Sequence, residues 1–308
     1  MKLYDLSRFK GVIVAMNACY DEQGEVNPGA IRKLASHYTS LGVTGLYIAG
    51  STGEGMVQSM EERKLVLQSV MEAVGGETTV IAHIGAASTR ESAELAGHAE
   101  RVGADAISAV PSIYYNIPES GVERHWRTII ESVSLPFIMY HIPQTTGFRV
   151  SLELLRRMAK LDKVIGIKVT TESAYQLQQF KMAGGDRFLV FNGPDEQYLA
   201  GRLMGADGGI GGTYGVMPEL FLQIERCLSE GLIREAQSWQ FKVNEIIAEL
   251  LQLPLYAACK AILELQGFNC GRPRSPLEPL SEEGRRQAAA IYEKIVRFTA
   301  ETKQAGRP

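Results

Sequence analysis

The chain has 308 residues, 45% of them hydrophobic, and a formal net charge of −3; it can bury a full core and is too ordinary in composition for disorder. An isoelectric point near 6.0, without a long run of Lys or Arg, leaves no electrostatic footprint for nucleic acid or anionic lipid. Met1-Lys2-Leu3-Tyr4-Asp5 lacks a charged n-region followed by an apolar h-region, and no apolar run approaches the ~20 residues of a membrane span, so a cytoplasmic protein that does not engage membranes or nucleic acid is expected.

Short apolar runs alternate with amphipathic helical segments as far as about residue 225, the pattern of parallel βαβ units. Gly11–Met16 reads as the first strand, and Asn27-Pro28 opens the first helix with a capping side chain and a proline at the first helical position. Gly42-Val43-Thr44 turns that helix into a second strand, Gly45–Ala49, and Ser59 with Glu62 marks the next helix start. Thr79–Ile84 and Ala106–Val110 follow as strands, with a helix between them that Ser88 and Glu91 open and Gly103-Ala104-Asp105 ends. Ser120 with Glu123 predicts the helix that leads to a fifth strand, Pro136–Tyr140. Val164–Val169, Arg187–Phe191 and Gly208–Gly211 complete eight strands, and Gly205-Ala206-Asp207 repeats the helix-to-strand device before the last.

Eight such units of roughly 25 residues fit an α/β fold of the closed (β/α)8 TIM-barrel type, whose usual length is about 250 residues. A doubly wound open sheet is the alternative, but no G-x-G-x-x-G opens the first βα turn. Beyond residue 225 only helical patterns continue, at Ile233–Leu251, Tyr256–Leu265 and Ser281–Thr302, broken by Pro254 and by Gly271-Arg272-Pro273. The expected division is a barrel over residues 1–225, holding the active site, and a C-terminal helical extension over 226–308.

In a TIM barrel, functional groups belong at the C-terminal ends of the strands and in the loops after them. There, Val164-Ile165-Gly166-Ile167-Lys168-Val169-Thr170 places one lysine in an apolar stretch. Apolar surroundings disfavour the ammonium, and a neutral amine attacks ketones, so Lys168 is either a Schiff-base nucleophile or a lysine that ends a strand and reaches solvent. One strand earlier, Tyr140 is either a phenol that relays protons at the barrel mouth or a rim tyrosine bonded to backbone. His141 reads as structural, because alternation points it away from the lumen.

Ala49-Gly50-Ser51-Thr52-Gly53-Glu54-Gly55 after the second strand combines glycines with hydroxyls and amides, either an anion pocket suited to a small carboxylate or an ordinary Gly-rich turn. Tyr114-Tyr115-Asn116, Asn192-Gly193-Pro194-Asp195-Glu196 and Gly208-Gly209-Ile210-Gly211-Gly212-Thr213-Tyr214 complete a ring of polar loops. Asp195 and Glu196 are either ligands for sugar hydroxyls or first-turn acids that complement a helix dipole. Cys19, Cys227, Cys259 and Cys270 form no C-x-x-C pair, and the five histidines lack metal-ligand spacing, so free structural thiols and no metal are expected.

Taken in this order, G-S-T-G-E, Y-Y-N, Y-H-I-P, G-I-K-V-T, N-G-P-D-E and A-D-G-G-I-G-G-T-Y resemble the N-acetylneuraminate lyase and dihydrodipicolinate synthase superfamily over nearly the whole chain. The resemblance implies a barrel with a helical tail, a homotetramer, and a Schiff base between pyruvate and Lys168. It makes Tyr140 the proton shuttle, gives the pyruvate carboxylate to Gly50, Ser51 and Thr52, and joins Tyr115 to Ser51 in a hydroxyl relay. Tyr114 is expected to reach across a subunit interface.

Within the superfamily, the synthase branch carries an arginine in the loop after its tyrosine, where this chain has Thr145 in Pro143-Gln144-Thr145-Thr146-Gly147. Without that cation for a dicarboxylic substrate, the synthase activity is disfavoured, and the resemblance is closer to the lyase branch. Thr170, Gly193, Asp195, Glu196, Gly212 and Tyr256 are then expected to line the site for the sugar chain. Two positions depart from the pattern: Gly212 stands where the lyases have serine, and Ala18-Cys19-Tyr20 where the family has T-P-F. The implied reaction is cleavage of a 2-oxo sugar acid, N-acetylneuraminate first, to pyruvate and an aldehyde without metal or organic cofactor. A 2-keto-3-deoxy sugar-acid aldolase or dehydratase, and an idle relative that binds 2-oxo acids, are the alternatives.

Overall fold

The computed structural model describes residues 4–305. Among them, eight parallel strands close into a barrel in sequence order: β1 (Gly11–Ala15), β2 (Gly45–Ile48), β3 (Thr79–His83), β4 (Ala106–Ala109), β5 (Phe137–His141), β6 (Val164–Val169), β7 (Leu189–Asn192) and β8 (Gly208–Gly211), with β8 pairing back to β1. Every residue of these strands is buried, because lumen and helices cover the two faces. Ile13, Tyr47, Ile81, Ile138, Tyr140, Leu189, Phe191 and Ile210 fill the lumen, and Val12, Val14, Leu46, Ile48, Val80, Ile107, Met139 and Val190 pack under the helices.

The helices are α1 (Pro28–Ser40), α2 (Met60–Val74), α3 (Thr89–Val102), α4 (Glu119–Ser132), α5 (Pro143–Thr146), α6 (Leu152–Met158), α7 (Ala174–Gly184), α8 (Tyr198–Leu203) and α9 (Pro218–Ser229) around the barrel, then α10 (Ile233–Leu250), α11 (Leu255–Leu265) and α12 (Glu282–Ala305). Asn27 caps α1 with Pro28 behind it, and Ser59–Glu62 and Ser88–Glu91 form reciprocal capping boxes. The third expected box does not form. Helix α4 begins two residues earlier, with Pro118 in place of Ser120 at its cap, Ser120 is exposed within its first turn, and Glu123 instead pairs with Arg127 at 2.8 Å and Arg157 at 2.9 Å.

The two Gly-Ala-Asp repeats make the same bonds. Gly103 and Gly205 take left-handed φ of 84° and 99°, and Asp105 and Asp207 accept the backbone N–H of Val80 and Val190 at 2.8 and 3.0 Å. Strand β7 starts two residues later than the sequence pattern suggested, because Gly185 (φ 81°) leads into a turn at Asp186-Arg187.

Helix α9 runs unbroken through residue 225 and packs on β1 and α10. Helices α10 to α12 pack on one another, α10 and α12 also pack on α9, and α11 touches the turn Thr213–Val216 at the barrel mouth. Among the described residues no single helix is long and apolar enough to cross a membrane.

Candidate active site

Strand parity alone would not aim Lys168 inward. Val164 faces the helices, and strict alternation from there would turn residue 168 the same way. A bulge intervenes: Phe137 pairs with Val164 but Ile138 pairs with Gly166, so Ile165 is an extra residue on β6 and parity inverts beyond it. Lys168 then lies beside Tyr140 across the β5–β6 ladder. Gly166 is required here, since a Cβ would sit 2.9 Å from Leu189 Cβ.

Lys168 is 6% exposed, with Nζ 4.4 Å from the Tyr140 ring centre and 4.9 Å from that of Tyr47. Among the described residues no carboxylate pairs with it. The Tyr140 ring meets Tyr47 and His83 edge-on, each at 6.0 Å between centres. The Tyr47 hydroxyl donates to Ser108 Oγ at 3.0 Å, and burial raises its pKa well above the usual tyrosine value. His83 Nε2 accepts from the Val110 N–H at 3.4 Å, which leaves Nδ1 to donate to the Ala49 carbonyl at 3.1 Å. Burial, with Arg63 beside it, holds the His83 pKa down at about 3, so the ring is neutral at pH 7. Arg63 donates to the carbonyls of His83 and Gly85 at 2.7 and 2.8 Å and thus binds α2 to the end of β3.

The loop after β2 folds back on itself. Glu54 N–H donates to Ser51 O at 3.0 Å and Gly55 N–H to Gly50 O at 3.1 Å, between left-handed Ala49 (φ 58°) and Glu54 (φ 52°). A Cβ at Gly50 would meet the Tyr47 ring at 2.6 Å, and one at Gly53 the Ala49 N at 2.9 Å. Ser51 is exposed and Thr52 half-buried, and Thr52 Oγ1 points toward Gly212, 2.6 Å from where a Cβ there would lie. The two hydroxyls are donors of the kind that can hold a carboxylate.

Asp195 is buried and accepts from Thr213 N at 2.7 Å and Thr213 Oγ1 at 2.6 Å, so it ties the β7 loop to the β8 loop rather than serving its own short helix. Burial raises its pKa to about 6, against the pull of the Thr213 bonds. Thr170 Oγ1 is buried with no protein partner, beside Gly193, where a Cβ would also meet Val169 O at 2.8 Å. Glu196 is exposed, and at the start of α11 burial, with Tyr140 nearby, raises the Tyr256 pKa above the usual tyrosine value.

Other expected residues are not brought into this cluster within the single chain. Tyr115 is 72% exposed and Tyr114, at φ 79°, is 94% exposed; they pack edge-to-face with each other at 5.1 Å. His141 faces outward onto Phe180, with its Nδ1 accepting from Val150 N–H at 3.3 Å, and burial lowers its pKa to about 4. Cys19, Cys227, Cys259 and Cys270 are free and buried, and among the described residues no three His, Cys, Asp or Glu side chains are grouped to hold a metal.

Tyr47, His83 and Asn17 were not singled out from the sequence. The first two could have been found by carrying strand parity along Gly45–Ile48 and Thr79–His83 to the lumen. Asn17, buried just past β1 with neither end of its amide bonded, carries no such signal.

The profile of the Dihydrodipicolinate synthetase family matches residues 8–295. An N-acetylneuraminate lyase from Mediterraneibacter gnavus is 42% identical over 91% of this chain and 90% of its own, and one from Escherichia coli is 35% identical over 94% and 98%. Among solved structures, the wild-type sialic acid aldolase of Ruminococcus gnavus superimposes with a TM-score of 0.94 at 40% identity, covering 96% of this chain and 99% of that one. A lysine mutant of the same aldolase, described as catalytic, has a TM-score of 0.95 at 39% identity, over 97% and 100%. With a closed barrel, a helical tail and a family match over almost its whole length, the chain belongs to the dihydrodipicolinate synthetase family.

Proposed function

We propose that the chain is a class I aldolase that cleaves N-acetylneuraminate to pyruvate and N-acetylmannosamine. The observation that carries the proposal is the lumen pair: a buried lysine without a counter-ion beside a buried tyrosine, at the strand ends where TIM-barrel chemistry occurs. The identity with two N-acetylneuraminate lyases and the catalytic lysine of the gnavus aldolase support it.

In this mechanism, Lys168 Nζ attacks the ketone carbon of the bound 2-oxo acid to give a carbinolamine. Tyr140 protonates the departing hydroxyl, and loss of water leaves a protonated imine, the electron sink, beside the Tyr140 phenolate. Tyr140 takes the proton from the C4 hydroxyl as the C3–C4 bond breaks, the aldehyde departs, and the bonding pair enters an enamine. Tyr140 returns the proton to C3, and water hydrolyses the pyruvate imine to free pyruvate and Lys168. The Ser51–Thr52 loop holds the carboxylate throughout. Thr170, Gly193, Asp195, Glu196, Gly212 and Tyr256 face the sugar chain. The working form is a homotetramer in the cytoplasm, where a neighbouring subunit covers Tyr114 and Tyr115 and brings Tyr115 into the relay with Ser51.

One observation favours a second substrate class. Gly212 offers no hydroxyl to the sugar chain, and a polar substrate group left unpaired costs about 1–3 kcal/mol, which suits a shorter 2-keto-3-deoxy sugar acid. Pyruvate release, followed through lactate dehydrogenase, decides between them. Higher kcat/KM on N-acetylneuraminate is expected, and release only from the shorter acids would overturn the substrate assignment.

A further inference from the structure

At the foot of the carboxylate loop, a glutamate sits where glycine would be comfortable. Glu54 has φ 52°, flanked by Gly53 and Gly55, a left-handed backbone conformation that non-glycine residues rarely adopt. Its side chain is fully buried and meets Lys260 Nζ at 2.6 Å, with Lys260 itself 2% exposed. The other carboxylate oxygen accepts the backbone N–H of Arg274 at 2.8 Å. Lys260 lies one turn beyond Tyr256 on α11, so the helix that presents Tyr256 to the site also supplies the counter-ion.

The surroundings extend the anchorage. Lys260 also donates to Arg272 O at 3.1 Å, and the centre of the Tyr20 ring is 4.4 Å from Lys260 Nζ and 4.5 Å from the Arg274 guanidinium. Gln58 Nε2 bridges the Tyr20 hydroxyl at 2.9 Å and the Gly53 carbonyl at 3.1 Å. The C-terminal segment therefore grips the loop from outside, at Glu54 by charge and at Gly53 through Tyr20 and Gln58. A buried ion pair is a poor source of stability, since apolar replacement of both partners is often neutral. What it fixes is geometry: two desolvated charges tolerate one arrangement.

We infer that Lys260 and Glu54 are positioning residues, an ion-pair clamp by which the C-terminal helices hold the Ser51–Thr52 loop in its carboxylate-binding shape. The inference rests on the reading of that loop as the pyruvate carboxylate site. It assigns the helical extension a role in binding the 2-oxo acid, separate from contact with the sugar chain.

The test titrates pyruvate against the purified full-length protein under borohydride, with the reduced adduct on Lys168 read by mass spectrometry. Thermal midpoints are measured on the same samples for wild type, Glu54→Gln, Lys260→Met and the double variant. Each single variant leaves a buried charge or polar group unpaired and melts well below wild type; the double variant recovers most of that loss. Its pyruvate concentration for half-labelling nevertheless stays about tenfold above wild type, with the labelling rate at saturation within about threefold. A double variant labelled at the wild-type concentration would reduce the pair to packing and overturn the clamp. If the double variant does not fold, Glu54→Asp, which keeps the charge on a shorter side chain, decides: a raised half-labelling concentration with the saturating rate unchanged supports the clamp, and an unchanged concentration refutes it. Wild type that takes up no adduct would defeat the aldolase reading and the clamp together.

Discussion

Lowering the pH from 7 to 5 should destabilise the folded chain through buried histidines. His83 and His141 are both almost wholly buried, and burial depresses their pKa values from 6.5 to about 3 and about 4. A depressed histidine contributes stability that is fully present above its unfolded value of 6.5 and lost as the pH falls below it, because only the unfolded chain gains the proton. At 1.36 kcal/mol per pH unit, the unit and a half between 6.5 and 5 costs about 2 kcal/mol for each residue. Asp195 works the other way. Its pKa is raised from 3.8 to about 6, so its contribution grows as the pH falls through 6 and returns about 1 kcal/mol by pH 5. The net loss from the three groups is about 2–3 kcal/mol, and His37, His98 and His125, also depressed by burial, add to it. Urea midpoints measured from pH 7 to 5 should fall accordingly, and His141→Gln should flatten the slope by about 2 kcal/mol over that range. A midpoint that does not fall, or a variant with the wild-type slope, would refute the reasoning.

Two substitutions probe the chemistry. Tyr140→Phe keeps the ring against Lys168 Nζ and removes only the proton carrier, so steady-state kinetics should show kcat lower by roughly 10²–10⁴ with KM little changed; kcat within tenfold of wild type would exclude Tyr140 as the shuttle. Gly212→Ser places a Cβ 2.6 Å from Thr52 Oγ1 and forces that side chain from its position, which should raise the pyruvate concentration for half-labelling by roughly fivefold, about 1 kcal/mol. An unchanged value would mean that Thr52 does not hold the carboxylate.

The barrel was legible in the sequence because its strands are predominantly apolar and its helices carry local signals at their ends. Ser59, Ser88 and Asn27 cap as their neighbours within three residues dictate. Ser120 misled because Pro118 starts the helix first, a competition between neighbouring starts that spacing does not resolve. The pairing of Lys168 with Tyr140 was anticipated from strand ends, yet the bulge at Ile165 that makes it possible leaves no mark in the local pattern. The helical tail read as an appendage because its bonds to the site are long-range. Arg274 reaches Glu54 from 220 positions away, and Gln240 and Asn244 of α10 donate to the Asp195 and Glu196 carbonyls at 3.2 and 2.9 Å. Periodicity reports which face of an element is apolar, not which distant backbone its polar residues will hold.

The most direct test of the central claim is to locate the covalent bond to substrate. The protein is incubated with pyruvate, reduced with borohydride, digested and sequenced by tandem mass spectrometry. The account predicts one reduced adduct, on the peptide containing Lys168, and none in Lys168→Ala protein whose melting profile matches wild type. An adduct on another lysine, or labelling that persists in Lys168→Ala, would contradict it.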